Sequence, residues 1–288
     1  WNVQEKLRRC LASVLALSGL EYEVIVVDNA SSDKSVQMVL NEFSSVRLIA
    51  NTRNVGFAVA VNQAARASTG QYILMLNPDT QVKPSAIESL VDFARSRPRA
   101  GVVGGHIVNQ DGSTQSSVRA FPTLKTQLMI ILKLHYIFPR AKSLLNYSAV
   151  NFDYSKEQKV DQVMGSYFLV PRPVWDKLNG LDEKFFLWFE EVDFCYRVAQ
   201  AGYEIIYTPD SAVVHEGGKS FVQLPSTRRQ MIYNRSIRQY FKNRGRKTAW
   251  LVLCAVQPMS ILLAAISRLA LKLIKPNSNL STYYKNEK

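Results

Sequence analysis

YILMLNPDT, residues 72–80, is an apolar run closed by a polar turn that carries one carboxylate. A run this short, ended by Asn-Pro-Asp, reads as a buried strand rather than a helix. EVIVVDNASSD, residues 23–33, repeats the pattern, with a β-branched run ending at Asp28 and a turn at Asn29–Asp33. Between them the spacing predicts a helix over 34–43, a strand over 46–50, a polar loop over 51–56 and a helix over 57–68. Strands separated by single helices predict an α/β fold, a mostly parallel sheet flanked by helices with right-handed crossovers. Ligands of such sheets bind at the carboxyl ends of the strands, so Asp28 and Asp79 are expected to face one crevice. Either acid alone would be read as a turn former; two at matching strand ends argue for a site.

Outward from this core, a helix is expected over 7–17 and another over 84–96, opened by Pro84. Residues 101–108 read as a strand with a bend. Residues 116–160 carry little pattern apart from LMIILKLHYIF (128–138), a helix or a membrane-facing patch. A strand over 163–170 is interrupted at Gly165-Ser166, and residues 181–202 open with a turn and become an amphipathic helix. Short strands follow at 205–207 and 212–214, the second leading into His215-Glu-Gly-Gly-Lys-Ser220.

The 288 residues are 47% hydrophobic and 20% charged, with no low-complexity bias, so disorder and solenoid repeats are excluded as the main theme. The three cysteines, Cys10, Cys195 and Cys254, match neither a disulfide framework nor a CxxC zinc site and read as reduced thiols of a cytosolic compartment. The net charge of +13 is not spread evenly: residues 1–220 are almost neutral, whereas 221–288 hold 13 Lys and Arg against Glu287 alone. Within that tail, Arg228–Lys247 is basic with interleaved aromatics, and residues 249–267 carry no charge and are followed by Arg268, Lys272 and Lys275. Gln257, Pro258 and Ser260 interrupt the apolar run. A catalytic domain at 1–220 and a helical extension at 221–288 are expected, the latter an interfacial or shallowly inserted helix pair at an anionic membrane surface. The alternative is a soluble hairpin packed on the catalytic part. No specific nucleic-acid partner is expected.

A crevice lined by strand-end acids suits a nucleotide diphosphate with a divalent cation, Mn²⁺ or Mg²⁺, held by one or two carboxylates and phosphate oxygens. Asp79 is the candidate ligand, and His215, between a strand and a glycine pair, is a second, softer one that tilts the choice toward Mn²⁺. Glu190-Glu191-Val192-Asp193, preceded by Phe185, Phe186, Trp188 and Phe189, is the acid–base candidate, because apolar surroundings raise a carboxylate toward the range of a general base. One base and a metal-bound diphosphate leaving group suit inverting sugar transfer. The sequence has no GxGxxG after its first strand, no GxxxxGK[ST] and no GxSxG, which disfavours dehydrogenase, P-loop and serine-hydrolase chemistry.

VVDNASSD (26–33), NVGFAVAVNQA (54–64), LMLNPDT (74–80), residues 164–203 and VVHEGGKS (213–220) together resemble the inverting family 2 glycosyltransferases of GT-A fold, nearest to bacterial rhamnosyltransferases. The resemblance implies that Asp28 and Asn29 meet the nucleotide and that Asn54 and Gly56 line the donor pocket. It places Asp79 at the last acid of a DxD-type metal motif, with Asn77 in place of the first. Gly165, Ser166, Trp188 and Glu190 fall on the acceptor side. Glu191 takes the position of the catalytic base, with Asp193 or Glu190 able to share it, and His215 lies by the diphosphate. The implied reaction moves a sugar, rhamnose by subgroup, from a nucleotide diphosphate donor to a glycan or lipid-linked acceptor at the inner face of the cell membrane. The alternative is a non-catalytic membrane-associated nucleotide-sugar-binding protein on the same fold. The family pattern opens with an apolar strand before a Trp-Asn pair, and this sequence begins at Trp1-Asn2, so the resemblance implies an N-terminally truncated chain lacking its first strand. An unfilled strand slot would expose ladder groups and weaken the fold.

Overall fold

The structure, a computed structural model, describes residues 1–217 and 224–273, with side chains as far as Ser267. The Gly218-Lys219-Ser220 end of the His215 loop, the 220/221 boundary and the side chains of Arg268, Lys272 and Lys275 lie outside the described residues.

The chain opens with α1 (Gln4–Leu15), β1 (Ile25–Asp28), α2 (Ser35–Glu42), β2 (Arg47–Ala50), α3 (Phe57–Ala67) and β3 (Tyr72–Leu76). Then come β4 (Thr80–Val82), α4 (Ala86–Arg95), β5 (Ala100–Val108), β6 (Val118–Arg119), α5 (Leu124–Ile131) and α6 (Lys142–Tyr147). After β7 (Gln158–Lys159), β8 (Gln162–Val163), β9 (Tyr167–Pro171) and α7 (Arg172–Lys177), the chain reaches α8 (Glu190–Gln200), β10 (Glu204–His215), α9 (Ser226–Asn243) and α10 (Lys247–Leu273).

The main sheet has the order β3-β9-β5-β10-β4, with β7 beside β10. β3, β5 and β10 share one direction, as the βαβ pattern predicts, but β9 runs antiparallel between β3 and β5, and β4 antiparallel beside β10. The departure from parallel pairing arises because β9 is reached through the long excursion 109–166 rather than a helical crossover. β1 and β2 form a separate parallel pair, so Asp28 and Asp79 stand at the ends of strands in two different sheets. Residues 100–108 form one strand, β5, whose pairing with β10 slips at Gly101, between Ala100 opposite Glu204 and Val102 opposite Ile205; a Cβ on Gly104 would meet Val163 at 2.6 Å and one on Gly105 would meet Tyr167 at 2.4 Å. The expected strand at 163–170 is two strands separated at 164–166, and the two short strands after 204 are one, β10, irregular between Tyr207 and Ala212.

Side chains of a strand alternate faces. In β9, Phe168 and Val170 join Met75, Val102, Tyr207 and Phe194 of α8 on one face, while Tyr167 and Leu169 join Leu90, Val103 and Ile206 on the other. Helix α3 is pinned to the segment before α8. Asn62, 5% exposed, donates to the Leu181 carbonyl at 2.8 Å and accepts from its N–H at 3.0 Å. At the opposite end of α3, Arg172 donates to the Ala65 carbonyl at 2.9 Å and the Gly70 carbonyl at 3.0 Å, satisfying groups a helix end leaves open.

A third cluster joins Ile131 of α5, Phe185, Phe189 and Val192 before and within α8, Ile237, Tyr240 and Phe241 of α9, and Leu253 of α10. The C-terminal helices therefore form a hairpin packed on the body through one side, with Trp250, Leu251, Met259, Leu262 and Ile266 exposed on the other.

Candidate active site

Asp79 begins the turn after β3 and is 8% exposed. Its Oδ1 lies 3.2 Å from His215 Nε2 at the end of β10, and its Oδ2 lies 3.9 Å from Lys6 Nζ on α1. Burial alone would raise this carboxyl, but the hydrogen bond and charge of His215 and the ammonium of Lys6 outweigh it and hold it below its ordinary range. Antiparallel pairing places His215 opposite Thr80, so the meeting of Asp79 and His215 follows from sheet register.

The His215 ring is oriented from behind. Its Nδ1 lies 2.7 Å from Gln115 Oε1, and the Gln115 amide donates to Asn109 Oδ1 at 3.2 Å. With the amide oriented this way Nδ1 carries a hydrogen, and Nε2 is the ring nitrogen that faces Asp79 and, at 3.4 Å, Asn77 Nδ2. A carboxylate oxygen and an imidazole nitrogen 3.2 Å apart suit one divalent cation, which would replace the proton between them, since cis ligands about 2.1 Å from an ion stand about 3 Å apart. No group of three or more His, Cys, Asp or Glu with ligand geometry occurs among the described residues. The pair fits a cation whose remaining ligands are phosphate oxygens and water, the usual arrangement for Mg²⁺.

Asn77 links this pair to the acid–base cluster. Its N–H donates to the Ser166 carbonyl at 3.1 Å, in the break between β8 and β9. A side chain at the neighbouring Gly165 would touch Glu191 Cβ and Cγ at 3.5 Å, so the 164–166 turn separates Asn77 from Glu191 by one chain thickness. Ser166 is 2% exposed, with no hydrogen-bond partner for its Oγ among the described residues.

Glu190 and Glu191 open α8 behind Trp188 and Phe189, both in the left-handed region at φ 65° and 72°. Oε2 of each glutamate is buried without a hydrogen-bond partner among the described residues. Burial pushes the Glu191 carboxyl up, against the backbone N–H groups of the helix start and the charge of Arg119 on β6. Glu190 is pushed up further, by burial first and by the Glu191 charge second. Trp188 lies edge-on to Tyr233 of α9, with ring centroids 5.9 Å apart.

Asp193 is placed elsewhere. Its Oδ2 accepts from Arg197 Nε at 2.8 Å, and its Oδ1 from Asn243 at 3.0 Å and Arg244 at 3.3 Å. At 2% exposure with both oxygens engaged, it ties α8 to α9, which corrects the expectation that it shares the base role.

Asp28 is 6% exposed, and its Oδ2 accepts from the N–H of Ser31, three residues on, at 2.8 Å. The start of α1 reaches both strand ends: the Gln4 N–H donates to Asp33 at 3.0 Å, and Lys6 Nζ stands 3.9 Å from Asp79 Oδ2. Asn29 donates to the Gly56 carbonyl at 3.1 Å and accepts from Asn51 at 3.0 Å. Asn54 Oδ1 accepts from the Gly56 N–H at 3.0 Å. Gly56 is required twice over: its φ is +93°, and a Cβ there would lie 2.7 Å from the Phe186 carbonyl, which accepts from the Phe57 N–H at 2.8 Å. The donor-side loop is thereby fixed to the aromatic segment before Glu190.

Sequence reasoning missed Lys6, Gln115, Arg119 and Glu216. Glu216, next to His215, pairs with Lys6 at 3.2 Å and Arg9 at 2.9 Å. Its position beside His215 is the only local signal among the four.

Residues 1–151 match the family described as Glycosyl transferase family 2. The N-acetylglucosaminyl-diphospho-decaprenol L-rhamnosyltransferase of Mycobacterium tuberculosis is 31% identical over 232 residues, which cover 77% of this chain and 75% of that protein. The rhamnosyltransferase WbbL of Escherichia coli (strain K12) is 25% identical over 67% of this chain and 72% of its own length. The mannosyltransferase PcManGT from Pyrobaculum calidifontis, solved with GDP-Man and Mn²⁺, superposes with a TM-score of 0.57 at 17% identity, covering 96% of this chain and 74% of that one. At that identity the likeness speaks for the fold, which is GT-A. The chain belongs to glycosyl transferase family 2, within its rhamnosyltransferase-like subgroup, and is a glycosyltransferase.

Proposed function

We propose that this chain transfers a sugar, rhamnose by its subgroup, from a nucleotide diphosphate donor to a glycan or lipid-linked acceptor of cell-surface polysaccharide synthesis, with inversion at the anomeric carbon. The observation that carries the reading is the continuous path from Asp79 through His215, Asn77 and the Gly165-Ser166 turn to Glu191. It supports a donor diphosphate and a proton acceptor on opposite flanks of one sugar.

In this reading Glu191 takes the proton from the acceptor hydroxyl, and its aromatic surroundings keep the carboxyl basic enough to do so. Glu190, whose carboxyl burial pushes up, backs the acceptor side, which Gly165, Ser166 and Trp188 shape. Asp28, Asn29, Asn54 and Gly56 position the nucleotide, and Asn77 holds the His215 ring. Asp79 and His215 would hold Mn²⁺ or Mg²⁺, which supplies charge to a departing diphosphate. Residues 1–220 form the catalytic domain and 221–288 a basic extension that associates with an anionic membrane surface at the cytoplasmic face, where a lipid-linked acceptor resides.

The test is Glu191→Gln. Transfer from a nucleotide diphosphate sugar should fall by about 10²–10⁴-fold with donor binding nearly intact. Unchanged turnover would remove Glu191 as the base.

A further inference from the structure

The α9–α10 hairpin has two exposed stripes of different chemistry. On α9, Arg228, Arg235 and Lys242 recur every seventh residue on the exposed side, and residues 224–267 contain no acid. On α10, Leu251, Met259, Leu262 and Ile266 are each about half exposed, on a segment, Lys247–Ser267, that is long and apolar enough to cross a membrane. The inner side of the same helix is committed to the protein. Asn234 of α9 donates to Ser260 Oγ at 3.1 Å, and Leu253 and Ala264 are buried. A helix with one flank locked in this way is suited to lie in a bilayer surface rather than to cross it.

A second apolar feature stands beside it, on the catalytic body. Tyr136, Ile137 and Phe138, which follow α5, are 60%, 67% and 57% exposed, the most exposed large apolar group of consecutive residues in the described structure. Arg140 and Lys142, both exposed, follow directly. The tip is joined to the hairpin by a polar relay: Lys133 donates to Gln230 at 3.0 Å, Gln230 to Asn234 at 2.9 Å, and Asn234 to Ser260. The tip thus begins three residues beyond a relay that ends on Ser260, in the half of α10 that carries Met259, Leu262 and Ile266. Two apolar surfaces on segments, 112–152 and 224–267, that carry cations and no acid match the headgroup and upper acyl region of an anionic bilayer.

We propose that the Tyr136–Phe138 tip and the exposed side of α10 seat together in the surface of an anionic phospholipid bilayer, with α10 lying in its plane and the α9 cations on the headgroups. This rests on the membrane association proposed above and adds to it a second contact on the catalytic body. Two contacts on separate elements fix the orientation of the body, where a single helix would leave it to swivel. The same hairpin lines the acid–base cluster, since Ser236 donates to the Leu187 carbonyl at 2.6 Å and Phe189 lies against Tyr240. The docked orientation thus sets how the acceptor side meets the membrane.

The experiment is co-sedimentation of the full chain with phosphatidylglycerol vesicles and, separately, phosphatidylcholine vesicles. Wild type should partition to the anionic vesicles. Ile137→Asp/Phe138→Asp should lower that partition by on the order of tenfold or more while melting temperature and nucleotide diphosphate binding stay unchanged. Phe138→Trp, a variant that keeps the tip apolar, should gain fluorescence that shallow nitroxide lipids quench. Undiminished partition of the double variant, or no quenching at position 138, overturns the two-contact surface and leaves the tail-only membrane reading standing. Absence of wild-type partition to anionic vesicles overturns both. Resistance to alkaline carbonate extraction overturns the in-plane helix, and a concentration-dependent dimer abolished by Leu262→Asp shows a second copy on this face instead.

Discussion

His215 Nδ1 lies 2.7 Å from Gln115 Oε1, a side chain 100 positions earlier in the chain. That contact, rather than anything local to His215, turns the opposite nitrogen toward Asp79. Gln115→Leu should therefore weaken Mn²⁺-dependent binding of a nucleotide diphosphate by about 10–100-fold, the usual effect of removing the partner that orients a ligand histidine. Isothermal titration with and without Mn²⁺ measures it. Equal affinity in variant and wild type would mean that His215 does not bear on the cation.

Removing the pair itself gives a stronger form of the same prediction. Asp79→Ala should abolish the difference between titrations with Mn²⁺ and with a chelator, because no third His, Cys, Asp or Glu among the described residues stands in ligand geometry with the pair. A metal-dependent increment that persists in Asp79→Ala would place the cation elsewhere.

The strand ends and the acids on them are legible in sequence because an apolar run closed by a polar turn has few other readings. Asp79 and His215, which the structure brings to 3.2 Å of each other, are both singled out in this way. Gln115, Lys6 and Arg119 were not, since their closeness to the site comes from packing between distant elements and leaves no spacing to read. Strand direction was also illegible for β9: residues 163–170 look like any buried strand, and the excursion before them carries no crossover pattern. Asp193 was different, because the signal existed. On a helix two residues subtend about 200°, so Glu191 and Asp193 had to point to opposite sides.

Glu190 and Glu191 make the pH behaviour specific. A carboxyl raised in the folded state is protonated there over a range in which the unfolded chain has already ionised, so folding takes up protons and stability falls as pH rises above its ordinary value of 4.5. Glu190→Gln should remove that loss, raising the melting temperature at about pH 7, where wild type bears the penalty, and converging with wild type toward about pH 4. A variant curve parallel to wild type across this range would rule out the raised Glu190 carboxyl. For transfer, Glu191 must be ionised to accept a proton, so the acidic limb of kcat/KM should lie above the ordinary carboxylate range and vanish in Glu191→Gln.

Gly56→Ala tests the joint between the donor and acceptor sides. The new Cβ would stand 2.7 Å from the Phe186 carbonyl on a backbone of φ +93°, so the 185–189 segment must move. A loss of about 1–3 kcal/mol in stability is expected, measured by denaturant unfolding, with a fall in transfer larger than the fall in donor binding. Unaltered stability would show that the segment yields without cost and that the joint does not position Glu191.

Asp193 separates a structural tie from a catalytic group. Its carboxylate faces Arg197, Asn243 and Arg244 at 2% exposure, and the Arg244 side chain is itself only 7% exposed and lies over the Tyr240 ring at 3.2 Å. Asp193→Ala leaves a buried guanidinium without its counter-charge, which costs about 3–5 kcal/mol, whereas a double change that also replaces Arg244 with Met should recover much of it. A catalytic role predicts the opposite ordering: transfer would be lost in Asp193→Ala at little cost in stability, and no second substitution at Arg244 would restore it. Melting temperature and turnover measured on the two variants therefore decide between a carboxylate that holds α9 against α8 and one that handles a proton, and the geometry of its three donors places it with the first.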